Sequence, residues 1–509
     1  MFKNNQHIKD FLNKRLNWGV LFFEVRDDLI SKKTFNLIKS IVPLNKLLLS
    51  LRDKKTYFTT SDLNKAWAWD WPIEKKLENC NFKIPFSIIS LHSKKDNLSK
   101  SNLSKSNVSK QNLSKPSFSY LESQINLANK YNLKYKNSKK VHCKWSPTIE
   151  SIESLQNLYT WFKKDSDNRS ILPMSLSGRW DWFRLFLYGK IKINFIKENR
   201  NSFFKDQILL ADKILTEIFT DKILTEKCLA NKQTNFAAIL GSPVSHSLTP
   251  FVHYDFFCDK KIPVYSILLN KNDITKNNVD FLIKLGLKYA AITSPLKKEF
   301  FNLKHLQIKL SHKAKNCKSI NSLSVAQNKT KQNKTAQNKT KPNQITQNKT
   351  KQNQTKQNKT TQNKTKQNKI ILDNTDQEGL AELIKSIFDN KNITTKDQKK
   401  IALWGSGGVS FMLSDAYPEI CIFSSQQKKC ISHNIIEKNY LPDIILWAVP
   451  GMYNSTPPKH WSPRHVVDLN YSQDSGGREY AILKNLDYTN GLLMFLSQAK
   501  EQQKLWNKN

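Results

Sequence analysis

The sequence predicts an α/β protein built as two structured halves in tandem, and three observations predict it. Short apolar runs of strand length alternate with amphipathic segments of helix length through both halves, the pattern of parallel sheets with crossover helices. A polar stretch, TDKILTEKCLANKQTN, separates the halves before Phe236-Ala-Ala-Ile-Leu240 opens a fresh strand. A glycine turn, Gly405-Ser-Gly-Gly408, stands between an apolar strand and a helical pattern, where backbone N–H groups can face a phosphate. A length of 509 residues fits two to four domains.

In the first half the strand candidates are 19–26, 46–52, 86–92 and 140–144. A helix follows Lys144. Ser146 is its expected cap, Pro147 suits its first turn, and Ile152, Leu155, Leu158 and Phe162 form one apolar stripe. Polar residues recur where the strands end: Glu24 and Arg26, Arg52, His92, Lys144. A (β/α)8 barrel carries its chemistry at that edge, and 17–218 is the expected extent of such a barrel. Residues 219–235 form the expected linker. In the second half Ile401–Trp404 leads into the glycine turn, a helical segment over 411–417 and a further strand, Ile420–Phe423. This is the order of a dinucleotide-binding unit, expected over 377–489.

Composition narrows the function classes. The net charge is +40, which suggests a polyanionic partner. Much of it sits in two low-complexity tracts. Residues 326–369 repeat Gln-Asn-Lys-Thr and hold twelve lysines and no acid, and 96–115 hold four more. Neither tract has an apolar face to bury, so both are expected to be disordered loop expansions, one in each half. Nucleic acid is therefore an unfavoured partner. No run approaches the ~18 apolar residues of a membrane span. The polar start and seven cysteines without a Cys-x-x-Cys pair predict a reduced, cytoplasmic protein with no metal site.

The second half carries five motifs in order: Ala238-Ile-Leu-Gly-Ser-Pro-Val-Ser-His-Ser-Leu-Thr-Pro250, Ile292-Thr-Ser-Pro-Leu-Lys297, Ser319-Ile-Asn-Ser322, Asp373-Asn-Thr-Asp376, and Asn490-Gly-Leu-Leu-Met494 with Gln498. Together they resemble shikimate dehydrogenase. The resemblance implies a substrate domain over 236–376, completed by a C-terminal helix at 490–507, and a Rossmann-like nucleotide domain. It implies Lys297 and Asp376 as the acid/base pair and Ser247, Thr249, Thr293, Asn321 and Gln498 as substrate ligands. It implies Gly405, Ser406, Gly407, Gly408, Val409, Ser424 and Gly491 around the cofactor. The residue types suit the chemistry: hydroxyls for a carboxylate, mixed donors and acceptors for ring hydroxyls, and an ammonium to protonate an alkoxide. The cofactor implied is NADP. The family's Arg for the ribose 2′-phosphate is replaced by Ser424-Ser-Gln426, with Lys428 and Lys429 as point charges, so NAD is not excluded.

The first half resembles type I 3-dehydroquinate dehydratase through Glu24-Val-Arg26-Asp-Asp28, Arg52, Ser90-Leu-His92, His142-Cys-Lys144, Pro173-Met-Ser-Leu-Ser-Gly178 and Gln207. The resemblance implies a Schiff-base Lys144, His92 as proton carrier, and Glu24, Arg26, Arg52 and Gln207 as substrate ligands. The family's Ser-Arg pair falls on Asp181-Trp182, with Arg184 two residues on. The two activities are consecutive, so the chain reads as a bifunctional enzyme of the shikimate pathway, with dehydroquinate, dehydroshikimate and shikimate as its small-molecule partners. A second reading keeps only the reductase active, with the first half as a stabilising or regulatory module. A third is a basic nucleic-acid-binding protein on a retained enzyme fold. Oligomeric state is not legible.

Overall fold

The computed structural model describes residues 4–17, 20–53, 55–72, 87–92, 126, 142–198, 205–214, 235–244, 247–304, 307–326, 369–391, 393–432, 439–449, 455–472 and 474–508. Apart from edge residues, the expected linker 219–235 and the insertions 96–115 and 326–369 lie outside them. The chain divides into two compact units, residues 1–234 with 261–269, and 235–260 with 270–509.

In the first unit, β1 (Phe23–Arg26), β2 (Leu47–Ser50), β3 (Ala68–Pro72), β4 (Ser87–His92), β5 (His142–Ser146) and β6 (Arg169–Ile171) form a six-stranded sheet in sequence order. Every neighbouring pair is parallel. A separate parallel pair joins β7 (Ile196–Lys197) and β8 (Ile208–Leu209). Alternation sorts the side chains. Val25, Leu47, Leu49, Leu51 and Trp69 point one way, into a core with Phe35 and Ile38 of the helix Lys32–Ile41. Each such side chain contributes about 1.5–3 kcal/mol when fully buried. The opposite face has an apolar floor, Leu48 and Ala68 against Ile193, and a polar layer above it. Ile193 also donates its N–H to Ser170 Oγ of β6 at 3.3 Å. Strands β2–β3 and β6 therefore face each other across residues 193–195, and the sheet is curled. The described strands do not include the closed eight-stranded ring expected from the sequence.

Four strands of this unit escaped the sequence reading: β3 and β6 in the main sheet and the short pair β7 and β8. The helix after β5 also starts later than expected. Ser146 ends β5, and residues 147–149 stay extended because Met174 N–H bonds Pro147 O at 2.9 Å and Ile149 N–H bonds Met174 O at 2.9 Å. The helix is Ile152–Lys163, capped by Ser151, whose Oγ accepts the Ser154 N–H at 3.1 Å. The expected stripe of Ile152, Leu155, Leu158 and Phe162 is buried.

The second unit holds β9 (Phe236–Gly241), β11 (Leu287–Ile292), β12 (Ile308–Leu310), β13 (Ser322–Ala326) and β14 (Lys369–Asp373), in sheet order β9-β11-β13-β14-β12. The strand β10 (Val264–Leu268) falls among the residues of the first unit. β13 and β14 are antiparallel, with Ser322 opposite Asp373 and Ala326 opposite Lys369. The second sheet of the unit, β17-β16-β15-β18-β19-β20, comprises β15 (Ile401–Trp404), β16 (Cys421–Ser424), β17 (Lys429–Cys430), β18 (Ile444–Trp447), β19 (His465–Asp468) and β20 (Asp487–Thr489). All its pairings are parallel except β16–β17. The strand order reverses beside β15, where open α/β sheets bind ligands. The long helices Asp376–Lys391 and Leu492–Asn507 pack on each other, which Gly379 permits: a Cβ there would lie 2.4 Å from Met494 O.

Candidate functional site

In the first unit the polar layer converges on Asp70, which has no solvent exposure. Its Oδ2 accepts from Lys144 Nζ and, at 2.6 Å, from Arg52 Nη2. Arg52 Nη1 reaches Ser90 Oγ at 2.9 Å. Register explains the meeting: Ser50 lies opposite Asp70 on β2–β3, and Ser90 opposite Lys144 on β4–β5. Asp27 fixes the end of β2 by accepting the N–H groups of Arg52 (2.6 Å) and Asp53 (2.8 Å). Burial alone would push the Asp70 carboxyl up, but Lys144 and Arg52 outweigh it and hold the pKa below the ordinary carboxylate value. The Phe195 ring lies 5.4 Å from Lys144 Nζ.

Of the residues expected from the sequence, Lys144 and Arg52 meet in this cluster. Glu24 is one strand away and accepts from Ser50 Oγ at 2.6 Å. Arg26 turns to Asp28 in a two-bond pair of 3.0 and 2.7 Å. Gln207 stands half-buried directly before β8. His92 ends β4 in register with Ser146, one pleat beyond Ser90 and Lys144, and its side chain lies outside the described residues. Arg184 is buried on the helix Asp181–Phe186, with Nε and Nη2 on Asn194 Oδ1 at 3.3 and 3.2 Å. Asp70 was missed by sequence reasoning. Its signal was a carboxylate set inside an alternating aromatic run, Trp67-Ala-Trp-Asp-Trp71.

In the second unit Lys297 Nζ donates to Asp376 Oδ2 at 2.5 Å, and Asn321 Nδ2 donates to Asp376 Oδ1 at 2.8 Å. Lys297 opens the helix Lys297–Asn302 and keeps about a third of its side chain exposed, whereas Asp376 is buried. Asn321 also bonds Thr375 Oγ1 through Nδ2 (3.0 Å) and accepts from Thr375 N–H (2.9 Å) and Ser322 Oγ (2.8 Å). These contacts use the whole amide and fix the Nδ2 that faces Asp376. Thr293 lies at the end of β11, its N–H on Leu240 O at 2.9 Å. Ser247 Oγ donates to Thr249 Oγ1 at 2.9 Å. Beside them is Tyr471, a residue the sequence reading did not single out. Burial pushes its phenol up, while contacts with the Leu248 backbone and the Ser247 hydroxyl oppose this. The helix Leu492–Asn507 ties the parts together: Phe495 packs on Tyr471 (ring centroids 4.6 Å apart), and Gln498 packs against the Gly379 position with a buried, unpartnered Oε1.

The glycine turn fits a dinucleotide diphosphate. Gly405 has φ +121°, and a Cβ added at Gly407 or Gly408 would meet only open space. Ser406 is exposed, Val409 half-buried, and the helix Gly408–Ala416 starts there. Ser424 closes β16 and its Oγ accepts the Gln427 N–H at 3.2 Å, so the turn that follows presents Lys428 and Lys429 to solvent. Gly491 caps the C-terminal helix against β19, where a Cβ would strike Leu469 O at 2.3 Å. Trp447, buried at the end of β18, packs on Tyr480 with ring centroids 5.7 Å apart.

Residues 239–323 match the family model of the shikimate dehydrogenase substrate binding domain. Curated NADP(+)-type shikimate dehydrogenases of Clostridium perfringens, strains SM101 and ATCC 13124, are each 32% identical over 93 residues. That stretch is 18% of this chain and 33% of each relative, so the match spans about a third of the relatives' length. Among solved structures, shikimate dehydrogenase 1 of Peptoclostridium difficile is 20% identical, with 54% of this chain and 92% of that chain covered at a TM-score of 0.36. The dehydroquinate dehydratase and shikimate dehydrogenase of S. pombe AroM is 13% identical, with 98% and 94% covered at a TM-score of 0.31. No helix among the described residues is long and apolar enough to cross a membrane.

Proposed function

We propose that the second unit is a shikimate dehydrogenase that interconverts 3-dehydroshikimate and shikimate with NADP. The observation that carries the reading is the Lys297–Asp376–Asn321 constellation, two members of which fall within the stretch matched by the family model. Ser247, Thr249 and Tyr471 offer hydroxyls to the substrate carboxylate. Gln498, with its free buried oxygen, takes a ring hydroxyl. Lys297 gives its proton to the alkoxide that forms at the reduced carbonyl, and Asp376 holds the ammonium in place. The backbone of Gly405–Val409 holds the diphosphate, and Lys428 and Lys429 meet the ribose 2′-phosphate. A nicotinamide bound there supplies the hydride. The test is NADPH formation from shikimate by the purified chain. No turnover with NADP or NAD overturns the reading.

We infer further that the first unit is a dehydroquinate dehydratase on a barrel, which makes the chain bifunctional. Lys144 is the buried amine, and the Asp70 carboxylate bonded to it holds it in place. The amine adds to the substrate ketone and expels water as the iminium forms. His92 removes the adjacent proton and returns one to the departing hydroxyl, and water then hydrolyses the iminium to release the product. Borohydride with 3-dehydroquinate should fix a mass adduct on Lys144, and an adduct on another lysine overturns the assignment. One observation favours the reductase-only reading: Arg184, the arginine nearest the family's carboxylate-gripping position, is buried on Asn194. Shikimate oxidation without dehydration and without an adduct selects that reading.

A further inference from the structure

The helix Leu492–Asn507 is joined to the second unit's first sheet by a chain of polar contacts that the proposed reaction does not use. His253 is fully buried. Its Nε2 lies 3.1 Å from Gln502 Oε1 and its Nδ1 3.1 Å from Gln503 Nε2. Gln502, also buried, donates from Nε2 to Asn321 O at 3.2 Å. That oxygen also accepts the Ile292 N–H of β11 at 2.8 Å. These contacts admit one assignment of protons. A backbone oxygen only accepts, so Gln502 must turn its NH2 to Asn321 and its oxygen to His253. His253 Nε2 must then carry the hydrogen, and Gln503, whose Nε2 also donates to Val252 O at 3.4 Å, turns its NH2 to Nδ1, which accepts. The ring is neutral in this assignment, and burial agrees, pushing the His253 pKa down to about 4 against a smaller opposing pull from Gln502. A second fixture lies one helical turn on. Trp506 Nε1 donates to Leu323 O at 3.1 Å, and its ring packs on His253 (4.9 Å) and Phe257 (5.5 Å).

We propose that Gln502 and His253 are positioning residues, a one-way hydrogen-bond relay that sets Asn321 and through it the Asp376–Lys297 pair. Asn321 is the junction. Its carbonyl takes the relay, and its side chain spends both amide hydrogens on Asp376 and Thr375. The same helix carries Gln498 one turn before Gln502, so one strut fixes both the proton-handling pair and a substrate ligand. This deepens the dehydrogenase reading and rests on it for its kinetic arm.

The test compares Gln502→Leu, Gln502→Glu and His253→Phe with the full-length wild type. Gln502→Leu keeps the volume and removes both bonds. Gln502→Glu keeps the acceptor for His253 and loses the donor to Asn321. In shikimate oxidation below the unfolding range, all three should lower kcat by roughly ten- to a hundredfold, because small misplacements of a catalytic pair have that effect. KM for the dinucleotide should stay within about twofold, since its site lies on the other sheet. Hydrogen exchange, followed by mass spectrometry, should rise in the peptide holding Thr375 and Asp376 for all three, whether or not the wild type turns over. Folded variants with unchanged exchange there overturn the relay, as does wild-type kcat in Gln502→Leu. A wild type without shikimate oxidation overturns the dehydrogenase reading instead, and the exchange result still decides the relay.

Discussion

Asp70 and Lys144 form an ion pair across β3 and β5 with the carboxylate wholly inaccessible to solvent. Arg52 shares the same oxygen, so two cations depend on one buried anion. Asp70→Asn keeps the shape and removes the charge. It should cost the first unit about 3–5 kcal/mol, the range for breaking a buried pair by removing one partner. Urea unfolding followed by tryptophan fluorescence reads the loss. The pH dependence has a definite sign. The folded-state pKa of Asp70 is lowered, so its contribution is complete above the unfolded carboxylate value of about 4 and disappears as pH falls through the folded value. The variant should lack that acid-sensitive component.

Lys297→Met removes the proposed proton donor and the partner of Asp376. Shikimate oxidation should fall by about 10²–10⁴ in kcat, the usual range for one general acid/base group, with little change in dinucleotide KM. Equal loss in both parameters would mean that Lys297 binds the cofactor and is not the acid.

Two buried histidines make the fold sensitive to mild acid. Burial pushes His142 in the first unit and His253 in the second down to about 4, with Lys192 adding to the effect at His142. The unfolded chain binds a proton at each near pH 6.5, so it takes up protons before the folded chain does. Stability from these groups is complete above about pH 6.5 and drains away as pH drops toward 4, by at most about 1.4 kcal/mol per pH unit for each histidine. Thermal midpoints measured from pH 7.5 to 5 should fall, and the slope should shrink in His253→Phe.

Gly379→Ala should destabilise the second unit by about 1–3 kcal/mol, the cost of overpacking, despite alanine's better helix propensity of ~1 kcal/mol. The added methyl meets the Met494 carbonyl, a backbone atom that cannot swing aside. Because Gln498 packs at the same point, KM for shikimate should rise along with the loss of stability. A stable variant with unchanged KM would show that the helices separate at no cost.

Lys428→Ala combined with Lys429→Ala should raise KM for NADP by about tenfold or more while leaving NAD kinetics unchanged, since each lysine acts as a point charge toward the extra phosphate. Steady-state kinetics with both dinucleotides reads the difference. Equal effects on the two would place the 2′-phosphate elsewhere.

The Lys297–Asp376–Asn321 constellation was legible because its members lie in short contiguous motifs: Asp376 follows Asn374 and Thr375, and Lys297 follows its Pro-containing turn. Residues that act through long-range contacts were not. Asp70 becomes meaningful only when β2 and β5 bring Arg52 and Lys144 to it, and nothing in Trp69-Asp-Trp71 specifies those partners. His253 and Gln502 are 249 positions apart, one in a turn between two short helices and the other within the C-terminal helix, and each looks ordinary in its own segment. Tyr471 sits after β19 in a loop with no local pattern, and only the fold brings it to Ser247. The first unit was legible as parallel strands ending in polar residues, but β3 and β6 were missed. β3 is interrupted by a charge, and Arg169-Ser-Ile171 is too short and polar to read as a strand.

The pairing of β13 with β14 has a practical corollary. Ala326 and Lys369 face each other across the ladder at one end, while Asn321 and Asp373 meet at the other, with Asn321 N–H on Asp373 O at 3.1 Å. Whatever is spliced between 326 and 369 enters and leaves at adjacent points, several rungs from Asn321 and Asp376. A fluorescent reporter or affinity tag can therefore be grafted there without moving the residues at the far end of the ladder.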